Sequence, residues 1–322
     1  MIPPKEDITI QFAHVAYTLA ERFALRETGI GHFQTWTRED MAARIGEADV
    51  LMCSAFWNDG LLARADRLRF IQVSAAGYNW FGLDALAEKG VRLAHGSGIN
   101  ANAVSDHAMA LILALTRKLH TGRDNQRKHF WRGMLSERGM REDELPGKTV
   151  LIYGVGAIGG RLARLARAFD THVIGVKRDL ANHEPALSEV HPPAALAELL
   201  PRADFVVLCC PLTPATANMI DAAAFAAMKP SAYLINVARG GCVDEGALVT
   251  ALRAGAIAGA GIDVTADEPL AETSPLWDLE NVILTPHTGG ETPKYEDNAI
   301  DILLENLDRL WRGETTLRNE VV

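Results

Sequence analysis

Cysteine is scarce in this 322-residue chain. The four present, Cys53, Cys209, Cys210 and Cys242, form no CxxC pair and no His/Cys cluster at ligand spacing, so neither a zinc site nor a disulfide framework organises the fold. Cys209-Cys210 closes an apolar run that starts at Phe205 and reads as two small buried hydrophobes, with a strained vicinal disulfide as the alternative. This usage is that of a reducing cytoplasm. Long apolar runs are also missing. A membrane-spanning helix needs roughly 20 such residues, whereas the longest run here, Ala108 to Leu115, is bounded by Asp106, His107, Arg117 and Lys118. The start, Met-Ile-Pro-Pro-Lys-Glu-Asp, lacks a charged segment followed by an apolar one, so no secretory signal is expected. Positive charge is not in excess either: 32 Lys and Arg stand against 41 Asp and Glu, for a formal net charge of -9, which argues against a general nucleic-acid binder. There is no low-complexity tract and no solenoid repeat.

What remains is ordinary globular composition, 48% hydrophobic and 23% charged, in a chain long enough for two domains at about 150 residues each. Short apolar runs alternate with helical stretches from end to end. Candidate strands are Ile8–Phe12, Val50–Cys53, Phe70–Val73, Val91–Ala94, Thr149–Tyr153, His172–Val176, Phe205–Cys209, Ala232–Asn236, Gly259–Asp263 and Val282–Leu284. Strands alternating with helices predict parallel sheets covered on both faces, hence strands that are apolar throughout. Thr37-Arg-Glu-Asp40 is a helix-start signal. Residues Ala101 to about Thr121 read as one uninterrupted helix with Val104, Ala108, Leu111, Leu115 and Leu119 on one side, followed by a polar loop to Pro146-Gly147. A last helix, about Thr292 to Trp311, repeats apolar residues at Ile300, Leu303, Leu304, Leu307, Leu310 and Trp311. The expected division is one domain of residues 1–100 completed by the helix at about 292–322, and a second of residues 101–291.

The strongest local signal is Thr149-Val-Leu-Ile-Tyr-Gly154-Val-Gly156-Ala157-Ile158-Gly159, a GxGxxG directly after an apolar strand and opening an amphipathic helix. Gly154 permits the tight turn, Gly156 lets backbone approach a pyrophosphate, and Gly159 lets helix and strand pack closely. The N–H groups of Ala157 and Ile158 then face the phosphates of a dinucleotide. At the end of the next strand an acid would hold the ribose 2′-OH of NAD. This chain has Lys177-Arg178 instead, with Asp179 one place later. Two cations there suit the 2′-phosphate of NADP(H), with NAD(H) as the second cofactor; a solvated basic loop is the alternative.

Three further motifs follow: Leu234-Ile-Asn-Val237-Ala238-Arg239-Gly-Gly-Cys-Val-Asp, then Gly261-Ile-Asp263-Val-Thr-Ala-Asp-Glu268-Pro, then Leu284-Thr-Pro-His287-Thr-Gly-Gly. With Cys210-Pro211-Leu-Thr-Pro, Ser74-Ala-Ala76-Gly77-Tyr-Asn and Asn102-Ala-Val-Ser-Asp-His107, they make the chain resemble the D-isomer-specific 2-hydroxyacid dehydrogenase family over nearly its whole length. The resemblance implies two Rossmann-like α/β domains, a doubly wound dinucleotide-binding domain and a smaller flavodoxin-like substrate domain. It implies hydride transfer between a nicotinamide cofactor and a small 2-oxo acid or D-2-hydroxy acid, as in a glyoxylate or hydroxypyruvate reductase. Arg239 becomes the carboxylate and carbonyl clamp, His287 the proton donor or acceptor, and Glu268 its orienting partner. Ala76 and Gly77 bind the substrate carboxylate through backbone N–H groups. Cofactor contacts fall on Gly154, Gly156, Ala157, Ile158, Gly159, Lys177, Arg178, Pro211, Thr216, Val237, Ala238, Arg239, Asp263, His287 and Gly289. No metal is expected. A homodimer built on residues around 101–145 is implied, with Trp131 reaching toward a neighbouring subunit.

The chemistry agrees. A 2-oxo acid presents a carboxylate beside a ketone, which one guanidinium fork can bind and polarise. The alkoxide left by hydride addition needs a proton, and histidine titrates near neutrality. Taken singly, Arg239, Glu268 and His287 would read as a surface ion-pair residue, a loop carboxylate and a turn histidine; their order and spacing lift them above that. His107, on the long helix, reads as a structural histidine, and His14, His32, His95, His120, His129, His172, His183 and His191 carry no motif. Phe56, Trp57 and Tyr78 either line the side-chain pocket or belong to the core. The rival from another class is a dinucleotide-sensing, corepressor-like interaction protein; the lack of appended tails favours the enzyme.

Overall fold

The computed structural model describes residues 2–54, 56–78, 80–181 and 184–322; Met1, Ala55, Asn79, Asn182 and His183 lie outside the described residues. The chain divides into two compact units, Met1–Asn100 with Thr292–Val322, and Ala101–Glu291. Among the described residues no helix is long and apolar enough to cross a membrane.

The first unit is a five-stranded sheet: β1 (Thr9–Ala13), β2 (Gly31–Thr35), β3 (Val50–Cys53), β4 (Phe70–Val73) and β5 (Arg92–Ala94), ordered β2-β1-β3-β4-β5 with every pair parallel. Helices α1 (Leu19–Ala24), α2 (Arg38–Arg44) and α3 (Leu83–Lys89) connect them. The Oγ1 of Thr37 accepts from the Asp40 N–H at 3.0 Å and caps α2, as its sequence requires. β3 and β4 are buried at every position. β2 is absent from the sequence expectation because Gly-His-Phe-Gln-Thr is an edge strand, half-buried and polar, without a continuous apolar run.

The second unit begins with α4 (Ala101–Thr116) and α5 (Leu119–Arg127). The expected single helix over 101–121 is thus interrupted, and the expected polar loop after it starts as helix. Lys118 adopts a left-handed φ of 50° at the break, and its Nζ donates to the Met140 carbonyl at 2.7 Å. Arg117 donates to the Asp143 carbonyl at 2.9 Å, so the segment near residue 140 holds the bend. Leu119, expected on the apolar side, is exposed. Then come β6 (Thr149–Tyr153), α6 (Ala157–Ala168), β7 (His172–Val176), β8 (Glu189–His191), α7 (Leu196–Leu199), β9 (Phe205–Leu208), α8 (Ala222–Ala227), β10 (Tyr233–Asn236), α9 (Glu245–Arg253), β11 (Gly259–Ile262) and β12 (Val282–Leu284). The sheet order is β12-β11-β10-β9-β6-β7-β8, all parallel. The chain reverses direction across the sheet between β6 and β9, the switch point at which doubly wound sheets open a crevice. β8, again a short half-exposed edge strand, is the second one missed.

The last helix, α10 (Tyr295–Trp311), belongs to the first unit. Ile300, Leu303 and Leu307 are fully buried in one cluster with Phe12, Phe23 and Val50. Buried Asn306 donates to Gln72 Oε1 at 2.9 Å and accepts from the Arg318 N–H at 2.8 Å, which ties helix, sheet and tail together. Leu303→Ala is expected to lower stability by about 2–5 kcal/mol in urea unfolding, because a fully buried leucine leaves a cavity. A loss below about 1 kcal/mol would mean the helix is not a core element of this unit.

Candidate active site

The loops at the carboxyl ends of the second unit's strands carry the chemistry. After β6, Gly154 turns at φ 101°, and a Cβ on it would stand 2.8 Å from the Cys209 carbonyl and the Cys210 nitrogen. Only glycine permits this contact, which lies at the switch point between β6 and β9. A Cβ on Gly159 would stand 2.1 Å from the Gly154 carbonyl oxygen, so α6 sits hard against the turn. Gly156, at the N-cap of α6, faces open space, and the first-turn amides of Ala157 and Ile158 have no acceptor within the helix. These groups fit a pyrophosphate. Lys177 and Arg178 follow β7, where the 2′ position of the adenosine ribose would lie, and Arg178 is exposed. Asp179 accepts from the Ala181 N–H at 2.9 Å.

Arg239 follows β10 and is exposed. Its loop is set by Asn236, which donates to the Arg239 carbonyl at 3.1 Å and accepts from the Ala238 N–H at 3.1 Å. A Cβ on Gly240 would stand 1.9 Å from the Thr265 carbonyl oxygen, so the arginine loop lies directly on the loop after β11. That second loop presents Glu268, whose Oε1 accepts from the Thr265 N–H at 3.2 Å while Oε2 meets His287 Nδ1 at 2.7 Å. Glu268 and His287 are both partly open to solvent, with side chains 39% and 45% exposed. The structure thus brings Glu268 and His287 into direct contact. The Arg239 Nη1 donates to the Ala238 carbonyl at 2.7 Å.

His287 stands at a left-handed φ of 54°, unusual for a side chain of that size. Its N–H donates to the Asp263 carbonyl at 2.8 Å. The Asp263 carboxylate, almost fully buried, accepts from the Thr285 hydroxyl at 2.6 Å, the Thr288 N–H at 3.1 Å and the Gly289 N–H at 3.1 Å. His107 on α4 completes the chain of bonds: its Nε2 lies 2.9 Å from Thr285 Oγ1. Since that hydroxyl gives its proton to Asp263, His107 is the donor. Sequence reasoning gave His107 a structural role without its target and missed Thr285 and Gly240. The Gly-Gly after Arg239 was the available signal for Gly240, because paired glycines mark close backbone approach.

Other expected contacts fall where the strands end. Val237 and Ala238 follow β10 and are buried. Thr216 spends its hydroxyl on the Pro211 carbonyl at 2.7 Å and receives the Thr213 N–H at 2.8 Å, so it shapes the Pro211 turn. The four cysteines are free. The Cys210 thiol bonds to Cys242, which holds Cys242 below the ordinary thiol range against the opposing effect of burial. Among the described residues no group of three or more His, Cys, Asp or Glu could hold a metal. In the first unit, Ala76 is exposed and Gly77 half-buried in the loop after β4. The Ala75 carbonyl accepts from the Gly96 N–H at 2.7 Å, and the Ser74 carbonyl accepts from the Tyr295 hydroxyl. Asn79 of the same motif lies outside the described residues.

A family model described as D-isomer specific 2-hydroxyacid dehydrogenase, NAD binding domain, matches residues 109–289. The D-3-phosphoglycerate dehydrogenase of Mycobacterium leprae is 35% identical over 279 residues, 86% of this chain and 52% of that protein. The chain therefore spans about half the length of such curated relatives. The glyoxylate reductase of Pyrococcus furiosus is 35% identical over 294 residues, 88% of this chain and 87% of that protein. Among solved structures, a D-isomer specific 2-hydroxyacid dehydrogenase family protein from Aeromonas salmonicida superposes with a TM-score of 0.83 at 30% identity, covering 98% of this chain and 99% of that one.

Asp263→Ala removes the shared acceptor of three donors. Hydrogen bonds to a charged group contribute about 1.5–3 kcal/mol each, so a stability loss of at least about 3 kcal/mol is expected, together with a fall in turnover as the His287 turn loosens. Unchanged thermal unfolding and turnover would show that the turn is held by other means.

Proposed function

The chain belongs to the D-isomer specific 2-hydroxyacid dehydrogenase family, and we propose that it is an NAD(P)-dependent oxidoreductase moving a hydride between a nicotinamide cofactor and C2 of a small 2-oxo acid or D-2-hydroxy acid of the glyoxylate or hydroxypyruvate kind. The observation that carries this reading is the 2.7 Å contact between Glu268 Oε2 and His287 Nδ1 on neighbouring strand ends. A carboxylate on Nδ1 fixes the imidazole tautomer and leaves Nε2 to exchange a proton with substrate. When bound, the nicotinamide supplies or accepts the hydride. Arg239 holds the substrate carboxylate and the neighbouring oxygen through its planar fork, and its charge draws electron density from the carbonyl carbon. Nε2 of His287 then delivers the proton that the developing alkoxide requires. On the first unit, the loop of exposed Ala76 and half-buried Gly77 offers backbone N–H groups suited to a carboxylate. The reductase and dehydrogenase names of the relatives support this enzyme reading over a dinucleotide-sensing interaction protein.

The first unit acts as the substrate domain and the second as the dinucleotide-binding domain. The protein works as a homodimer built on the segment around 101–145. There Phe130, Trp131, Met134 and Met140 are exposed. Residues 117–141 hold eight Lys and Arg against two acids in a chain whose net charge is -9, so a second copy offers the complementary charge.

The test of the catalytic assignment is absorbance at 340 nm with glyoxylate and hydroxypyruvate. His287→Ala is expected to lower turnover by about 100-fold or more with cofactor binding nearly retained; turnover close to wild type would remove His287 from the mechanism. For the cofactor, the reading is NADPH over NADH by about 10-fold in kcat/KM, the ratio that 1.4 kcal/mol supports, because Lys177 and Arg178 meet a 2′-phosphate. Arg178→Asp should erase or invert that ratio, mainly through the KM for NADPH. Equal use of both cofactors by the wild type, or an unchanged ratio in the variant, would make the pair a solvated loop.

A further inference from the structure

Within the second unit, α4 lies closely against β11. A Cβ on Gly261 would stand 3.0 Å from the Leu111 Cβ, so glycine is what lets the helix settle on the strand. His107 is one turn before Leu111 on α4, and Asp263, two residues after Gly261, continues the same side of the strand. The close approach brings the imidazole over the strand end. Its Nε2 lies 2.9 Å from Thr285 Oγ1 and 3.5 Å from Asp263 Oδ1, and a Cβ on Gly289 would stand 3.0 Å from the ring. The turn of α4 that carries His107 is also held by Arg161 of α6, which donates to Asp106 at 2.6 Å and to the Asn102 carbonyl at 3.1 Å.

The Thr285 hydroxyl has a single proton, and it goes to Asp263 Oδ1 at 2.6 Å. The Nε2–H of His107 fills the acceptor side of the same oxygen, so the hydroxyl cannot turn away without leaving that N–H unpaired. Resting on the reading that His287 exchanges the proton with substrate, we propose that His107 is a positioning residue for that histidine, acting through the Thr285 hydroxyl and the Asp263 carboxylate. Without its N–H the hydroxyl is free to point elsewhere, Asp263 keeps only the Thr288 and Gly289 N–H groups, and the turn that presents His287 to Glu268 loosens. Thr285 is bound to this turn a second time, since its carbonyl accepts the His287 N–H at 3.0 Å. The substrate clamp is set separately: Arg239 leaves a loop held by Asn236 and by the contact of Gly240 with Thr265. His107 therefore governs kcat rather than KM.

The experiment measures kcat and KM of the full chain for glyoxylate and hydroxypyruvate with both cofactors, beside thermal unfolding, in His107→Phe, His107→Gln, Thr285→Val and the double variant. His107→Phe keeps a ring against Gly289 and removes the donor. Its kcat is expected to fall about 10-fold, the equivalent of 1.4 kcal/mol, with KM changed by less than about 3-fold. His107→Gln, whose amide N–H can take the place of Nε2–H, should recover most of the loss. Adding His107→Phe to Thr285→Val should cost less than about 2-fold more, because both remove the same bond. If His107→Phe does not fold, His107→Asn, too short to reach Thr285, takes its place with the same expectation. A wild-type kcat in that variant, a His107→Gln no better than it, losses that multiply in the double variant, or a loss carried by KM with kcat unchanged overturns the role of His107 while 2-oxo acid reduction stands. Failure of the wild type to reduce either acid, or unchanged turnover in His287→Ala, defeats the underlying reading, and the role of His107 with it.

Discussion

The arrangement of the second unit's site hangs on one buried carboxylate. Taking Asp263 out of water is costly unless donors replace the hydration it loses. It receives a hydroxyl and two backbone N–H groups, all from the turn that carries His287. Those bonds hold the turn in the conformation that His287 occupies at positive φ, from which its Nδ1 meets Glu268. A Cβ on Gly289 would approach Asp263 Oδ2 to 2.7 Å, so the residue after Thr288 has to be small for the carboxylate to be satisfied. His107 extends the constraint to α4 through Thr285. An exposed histidine is thereby carried by a turn fastened to a buried carboxylate.

Backbone-on-backbone contact does the same for Arg239. Parallel strands end level with one another, so successive loops leave the sheet side by side and compete for space. Gly240 resolves that competition with Thr265, and Gly154 resolves it with Cys209 and Cys210 at the switch point. In both cases the missing Cβ lets two loops lie in contact. Arg239 and Glu268, far apart along the chain, therefore leave from loops in contact, and their separation is set by packed backbone.

Much of this is legible in the amino-acid sequence. The buried strands of both sheets announce themselves as continuous apolar runs, and the glycine spacing after Tyr153 identified the turn into α6. Glu268 and His287, which the family resemblance paired, lie in contact. The edge strands β2 and β8 were not legible, because Gly-His-Phe-Gln-Thr and Glu-Val-His are half-solvated and carry no apolar period. The break at Lys118 was hidden for a different reason. Nothing in the local sequence forbids helix there; the bend is stabilised by carbonyls of residues 140 and 143, contacts that periodicity cannot see. The Asp263 network was invisible for a third reason, since its donors are mostly backbone amides, which every sequence contains.

Positive charge in this chain is placed locally. The chain is acidic overall, yet its proposed ligands are anions, and at physiological salt a field is screened over roughly 8 Å. Attraction must therefore be local. On the proposed reading Arg239, the first turn of α6 and the Lys177-Arg178 pair supply it. The loops that leave β1, β3, β4 and β5 of the first unit, residues 14–18, 54–58, 74–82 and 95–100, contain no Lys or Arg. On the proposed reading Arg239 addresses only the carboxylate and the neighbouring oxygen, the groups that all 2-oxo acids share.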